Sequence, residues 1–297
     1  MKRHLYLMAL MACHGLSALA QQTHRPLYQA QDLTAENMFS VNIEGPNFDK
    51  AGNFYVVNFQ KDGTVGKINT KTGAGEIFIT LPDSSVGNSV NFNSKGDMFL
   101  PDFKGHNVLR VDMKTRKINV YVHSSQFNQP NDLCINKKDQ IFASDPAWAS
   151  NGGQIWRIDP NRKAVLLETG MGTTNGIELS PDEKTLYVNE SVQRKVWKYD
   201  VDKNGNISNK TLFTSFPDYG LDGMKCDKAG NLHIARWGKG VIAVFSPKGE
   251  LIREVPLKGK NCSNLIFGDK DGKTVYVTLQ DRKCVETFRV DIPGKRY

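Results

Sequence analysis

The chain has 297 residues, 39% of them apolar and 24% charged, a balance that fits one large domain or two modest ones and excludes a disordered or fibrous polypeptide. The 39 lysines and arginines exceed the 31 acidic residues by eight, yet no run of five basic residues occurs, which favours a solvated basic surface over nucleic-acid binding. Beyond the first twenty residues no apolar run approaches the ~18 residues of a membrane span, so a water-soluble remainder with no membrane contact is expected.

In chain order, the first element is an export signal. Lys2 and Arg3 precede an apolar run from Leu5 to Ala12, and Ala18-Leu19-Ala20 stands before Gln21 as an A-x-A cleavage pattern. Leu10-Met11-Ala12-Cys13 is a competing lipoprotein-type cleavage site, into which Met11 fits poorly. The expected organisation is a signal peptide over residues 1–20 and one domain over 21–297, placed in the periplasm or secreted. Lys2 and Arg3 are the only charged residues removed, so the mature chain keeps 37 basic against 31 acidic residues, a net +6. Four cysteines remain, Cys134, Cys226, Cys262 and Cys284, too few for a disulfide scaffold in a chain of this length.

Internal repetition dominates the rest. Six segments begin at Glu44, Asn88, Asn131, Asn175, Asp222 and Asn264, at intervals of 42 to 47 residues, the spacing of a four-stranded propeller blade. Each opens on a short apolar strand and reaches a turn: DKAG, NSKG, NKKD, SPDE, DKAG and DKDG. Gly at the fourth turn position in four copies supplies a positive φ. A second strand follows as NFYVV, DMFLP, QIFAS, TLYVN, NLHIA and TVYVT, and alternating third strands include VLRVD, IWRID and VWKYD. The expectation is an all-β, six-bladed β-propeller. The sixth segment runs out at Tyr297 before a fourth strand, so Leu27 to Leu33 is expected to complete that blade and close the ring.

Fourteen residues after each starting position stand Asn58, Asp102, Asp145, Asn189, Arg236 and Thr278. An inner strand, a turn and an antiparallel return would bring both sets to one rim of the central tunnel. The inner set offers two carboxylates and four amides, which suits a hard cation that takes oxygen ligands, and contains no His or Cys to favour zinc. Asn and Asp are also ordinary turn residues at strand entries. Two carboxylates converging at ~4 Å in an effective dielectric of ~20 repel by about 4 kcal/mol, however, a cost that a divalent ion removes.

Several other features read as structural. Asp200-Val201-Asp202-Lys203-Asn204-Gly205 mimics an EF-hand opening, but Thr211 occupies the twelfth position, where a bidentate Glu is required. Cys134 and Cys226 fall on inner strands as small core residues, and His233 alternates with apolar neighbours as a core histidine. Cys262 and Cys284 share one repeat; a disulfide and two separate thiols both fit their spacing.

The stretches IEGP (43–46), QPNDL (129–133) with SDPAW (144–148), TNGIELSPDEKTLYVNES (174–191), LDGMKCDKAGNLHIARWGKG (221–240) and NLIFGDKDGKTVYVT (264–278) resemble the regucalcin/gluconolactonase group of six-bladed propellers. That group also contains luciferin-regenerating enzymes and phosphofluoridate hydrolases. The resemblance runs from about Glu44 to Thr278 and implies one divalent cation, usually calcium, with zinc, manganese or magnesium as alternatives. The ligands it implies are Glu44, Asn131, Asn175 and Asp222. It also implies opening of a sugar lactone, a small-molecule substrate, with Asp222 as base or nucleophile. No arginine aligns with the substrate clamp of the animal lactonases, since the second repeat offers Asn88, Asp102 and His106.

From the residues themselves, Asp145, Asn189 and Arg236 with the neighbouring Trp148 and Trp237 are the expected substrate-binding walls: a guanidinium for a carboxylate or hydroxyl, indoles for a sugar face. The leading expectation is a monomeric, exported lactonase. A phosphotriester or phosphofluoridate hydrolase using the same site, and a non-catalytic propeller braced by the cation, are the alternatives.

Overall fold

The computed structural model describes residues 26–82 and 84–295. The expected signal peptide, residues 1–20, and its cleavage point lie outside the described residues. Six four-stranded antiparallel sheets are arranged as a six-bladed β-propeller; five take their strands in sequence order from the tunnel outward, and the sixth takes its outer strand from the N-terminal side of the chain. Blades 1 to 5 span residues 39–80, 91–123, 133–171, 174–215 and 224–256, and blade 6 takes its inner three strands from residues 262–289. A single 3-10 turn, Trp148–Ser150, is the only helical element among the described residues.

The repeated turns work through side chains as well as glycine. In blade 1 the Asp49 carboxylate accepts the Ala51 and Asn53 amides at 2.9 and 2.8 Å, while Gly52 takes φ +82°. Asn93, Asn136 and Asp227 cap their turns in the same way. Where Gly is missing at the fourth position, Asp139 and Glu183 still adopt φ +60° and +61°, so the side-chain cap holds the left-handed turn without it. The EF-hand-like segment is also a hairpin turn: the Asp202 carboxylate accepts the Asn204 and Asn206 amides, both at 2.8 Å, between strands Lys195–Val201 and Ile207–Ser215.

Alternation along each strand gives every blade two apolar faces, and each face packs on a neighbouring blade. The six hydrophobic clusters therefore lie in the six seams between blades rather than inside any one of them. Such an arrangement is stable only as a closed ring, because an open one would leave two seams uncovered. Closure falls where expected. Gln31–Asp32 forms the outer strand of blade 6, pairing Gln31 with Thr287 and Asp32 with Glu286, and flanking amides of Tyr28 and Leu33 donate to Arg289 and Val285 at 2.8 and 2.9 Å. Arg282 ties the joint, reaching Asp32 and Glu286 within the blade and Glu36 beyond it.

Cys262 and Cys284 form no disulfide with each other. Each pairs with Leu279 from opposite sides of its strand, which separates them by two strand spacings, roughly 9.5 Å, beyond the reach of a disulfide.

Candidate active site

The first residue of each repeat lies where the innermost strands converge on the tunnel. A cavity of about 590 Å3 opens at this mouth, and Glu44, Asn88, Asn131, Asn175 and Asp222 line it. The sixth member, Asn264, is buried beneath, bonded to the Glu44 carboxylate and donating to Asp132 Oδ2 at 3.4 Å. The sequence makes room for this convergence by placing glycine after three ring residues. A Cβ on Gly45 would lie 2.0 Å from Ser89 Cα, on Gly176 2.3 Å from the Asp222 carbonyl, and on Gly223 2.1 Å from the Asn264 amide. None of these distances is tolerated by a side chain, so the ring closes only with glycine at these positions.

Glu44 and Asp222 are 3% and 8% exposed and hydrogen-bond to each other. Burial first, then the negative charge of Asp132, pushes the Glu44 carboxyl up to about 8. Burial and then the Glu44 charge hold Asp222 well above the usual carboxylate range. Backbone contacts fix both. Glu44 Oε2 accepts its neighbour's Gly45 amide at 2.6 Å, and the Asp222 carbonyl accepts Asn189 Nδ2 at 2.6 Å. Asn175 hydrogen-bonds the Asp222 carboxylate.

The donors fit a hard cation. The buried Asn131 Oδ1 has no hydrogen-bond partner among the described residues, an arrangement that costs ~1–3 kcal/mol unless something binds it. Neither Glu44 nor Asp222 has a lysine or arginine ion-pair partner there, whereas the nearby Asp132 and Glu178 pair with Lys225 and Lys295. Among the described residues no three His, Cys, Asp or Glu side chains are grouped so as to hold a metal ion by themselves; the donors are two carboxylates and amide oxygens, the hard set that calcium or magnesium prefers.

The expected substrate-binding walls divide into two groups. Trp148 and Trp237 line the cavity, each 41% exposed. Asp145, Asn189 and Arg236 do not; they are buried behind the wall. Asp145 accepts the Asn128 and Gln129 amides at 2.9 and 2.6 Å and the Trp156 indole N–H at 2.9 Å. Arg236 donates to the Asp218 carbonyl and carboxylate at 2.6 and 2.8 Å and lies 3.7 Å over the Phe216 ring. Asp102 holds the Val86 amide at 3.1 Å in the same manner. These residues sit on the second strand of each blade, one strand spacing from the tunnel, and point into the linker that enters a blade. Their role is to staple those linkers: Asp145 fixes Gln129 and Arg236 fixes the loop carrying Tyr219, both of which reach the cavity.

Sequence reasoning missed the residues that those linkers and the outer turns present. Asn42 and Gln129 lie two residues before a ring position; Phe103, Arg194 and Gln280 occupy the turn between second and third strands that also carries Trp148 and Trp237. Phe103 and Gln280 stand within two residues of Asp102 and Thr278, as Trp237 does of Arg236, so the neighbourhood of the second set of repeat positions was available to find them. Contacts within the collar orient it: Trp237 Nε1 donates to Gln280 Oε1 at 2.9 Å, and the Trp148 amide donates to Gln129 Oε1 at 3.3 Å.

Residues 43–281 match the family described as SMP-30/Gluconolactonase/LRE-like region. A gluconolactonase of Zymomonas mobilis is 30% identical over 273 residues, covering 79% of this chain and 75% of that protein. A diisopropyl-fluorophosphatase of Loligo vulgaris is 26% identical over 285 residues, covering 85% and 90%. Among solved structures, a regucalcin of Agrobacterium tumefaciens, described as a calcium-binding protein, superposes with a TM-score of 0.78 at 19% identity, covering 89% of this chain and 95% of that one. With the propeller, the converging ring and a family match that spans most of its length, this chain belongs to the SMP-30/gluconolactonase/LRE-like family.

Proposed function

We propose that the protein hydrolyses a sugar lactone at the mouth of its tunnel with the help of one divalent cation, most simply calcium. The observation that carries this reading is the unpartnered, buried Asn131 Oδ1 beside two carboxylates that lack a basic partner. Glu44, Asn131, Asn175 and Asp222 would hold the cation. When bound, it supplies Lewis-acid polarisation of the substrate carbonyl, worth several kcal/mol in the transition state. Asp222 takes a proton from water at its free carboxylate oxygen, or attacks the carbonyl carbon itself. Asn189 and Asn175 hold Asp222 in place from its carbonyl and its carboxylate. Trp148 and Trp237 offer apolar faces to the sugar ring and exclude water from one side of it. The gluconolactonase relative supports a lactone, and the squid-type relative makes phosphofluoridate or phosphotriester hydrolysis the second reading of the same site. The N-terminal pattern of residues 1–20 supports action outside the cytoplasm.

A panel of lactones and phosphotriesters, run on metal-stripped protein with calcium, zinc, manganese or magnesium restored, tests this reading. Lactone turnover that disappears on stripping and returns with calcium is the expected result. Turnover of phosphotriesters alone would select the second reading, and no turnover with any metal would leave a binding propeller.

A further inference from the structure

Nine arginines fall among the described residues, and eight of them engage an acid or an aromatic ring. Arg110, Arg157, Arg236, Arg282 and Arg289 form ion pairs, and Arg116, Arg162 and Arg253 lie over Phe78, Tyr121 and Tyr28. Arg194 does neither, and it lines the cavity that holds Glu44 and Asp222. The position is built. Gln193, beside it, accepts the Thr173 amide at 2.8 Å and donates to the Asn151 carbonyl at 3.2 Å, and the Arg194 carbonyl accepts the Phe216 amide at 2.9 Å.

The backbone there follows the repeat. The residue before the third strand is left-handed in all six blades: Gly63, His106, Asn151, Arg194, Gly240 and Lys283. Of these six only Arg194 reaches the cavity. Among the described residues Glu44, Asp222 and Arg194 are the only charged ones lining it, so a dication balances the two carboxylates and leaves the guanidinium as an uncompensated positive charge. A planar guanidinium with free N–H groups is suited to bidentate contact with carboxylate, phosphate or sulfonate.

We infer that Arg194 is a specificity-determining residue that selects lactones bearing a second, anionic group on the part of the sugar remote from the reacting carbonyl. This inference rests on the lactone reading above. In the bound state the ring lies between the indoles of Trp148 and Trp237, and its anionic substituent meets Arg194 at the rim.

The test compares δ-gluconolactone with its 6-phosphate on the calcium-loaded protein. Wild type is expected to favour the phosphorylated lactone in kcat/KM by roughly tenfold or more, and the preference should shrink with added salt. Arg194→Gly suits the left-handed backbone, as Gly63 and Gly240 do at the equivalent positions, and should keep a native melting profile. Its kcat/KM should fall about tenfold further on the phosphorylated lactone than on the neutral one, and Arg194→Lys should restore part of the difference. Equal kcat/KM for the two lactones in wild type, or a parallel fall on both in Arg194→Gly, overturns the inference. If neither lactone turns over, the lactone reading itself fails, and calorimetry with gluconate 6-phosphate against gluconate decides instead. Tighter binding of the phosphorylated anion by wild type, lost in Arg194→Gly, supports the role; equal affinities, or no binding of either, overturn it.

Discussion

At one mouth of the tunnel Glu44 and Asp222 face each other with no basic side chain between them; deeper in, Asp132 and Glu178 are supplied with theirs. Lys225 Nζ lies 3.8 Å from Asp132 and 3.6 Å from Glu178, and Lys295 Nζ bonds both Glu178 and the Leu179 carbonyl. Lys295 comes from the C-terminal tail, which crosses that end and is tied by its amide to the Cys226 carbonyl at 3.3 Å. A tethered ammonium neutralises carboxylates permanently but offers no open coordination position. Where the neutralising charge is left to solution, the ion brings its own vacant positions and a substrate can bind it. Under the proposed function, the difference separates the part of the tunnel that supports the fold from the part that would support chemistry.

The largest effect that probes this contrast is on turnover. Asp222→Asn keeps an oxygen donor but neither accepts a proton nor attacks a carbonyl at neutral pH. At saturating calcium it should lose about 10²-fold or more in kcat while melting like wild type. Recovery of near wild-type kcat would reduce Asp222 to a ligand.

Next in size is the supporting pair. Lys225→Met leaves Asp132 uncompensated and removes one of the two cations on Glu178, so unfolding in urea should show a loss of about 3 kcal/mol. The change should appear equally with and without calcium. A variant as stable as wild type would mean that the two pairs do not differ in the way described.

A smaller effect is expected on affinity. Glu44→Gln removes one of the two charges that attract the cation, and calorimetry should register calcium binding about tenfold weaker or more. Asn88→Ala, on the same rim but outside the proposed ligands, should change it by less than about threefold. Equal affinities in wild type and Glu44→Gln would remove the proposed site.

The smallest is a pH dependence of the metal-free protein. The Glu44 carboxyl is raised from its ordinary value of 4.5 to about 8, so the folded state binds a proton more tightly than the unfolded state. The stability this contributes is fully present below about pH 4.5 and is lost as the pH rises through about 8. Melting temperatures of stripped protein should therefore decline by a few degrees between pH 5 and 8, and calcium should cancel the decline by replacing the proton. A slope that calcium leaves unchanged would assign it to other groups.

How much of this was legible in the chain itself varies with the distance over which the information acts. The blade period, the turn chemistry of DKAG and its variants, and the closing segment near Gln31 are all local patterns, and each appears in the fold as read. The ring of Glu44, Asn131, Asn175 and Asp222 was legible because one offset recurs six times and because glycine follows the ring residue where neighbouring strands come closest. Asp145, Asn189 and Arg236 share an equally regular offset and nevertheless lie behind the cavity wall, bound to linker backbone.

A period of two along a strand determines which residues share a face, and it acts within a few residues. Which face meets the tunnel and which meets the next blade depends on the twist from one strand to the next and on the neighbouring blade, tens of residues away. The sequence by itself therefore determined the architecture and the identity of the converging oxygen donors. Only the tertiary structure decided that Asp145 and Arg236 brace linkers, that Lys225 and Lys295 neutralise the second carboxylate pair, and that Arg194 stands unpaired among the described arginines at the cavity mouth, because each of these depends on contacts between chain segments that no local pattern encodes.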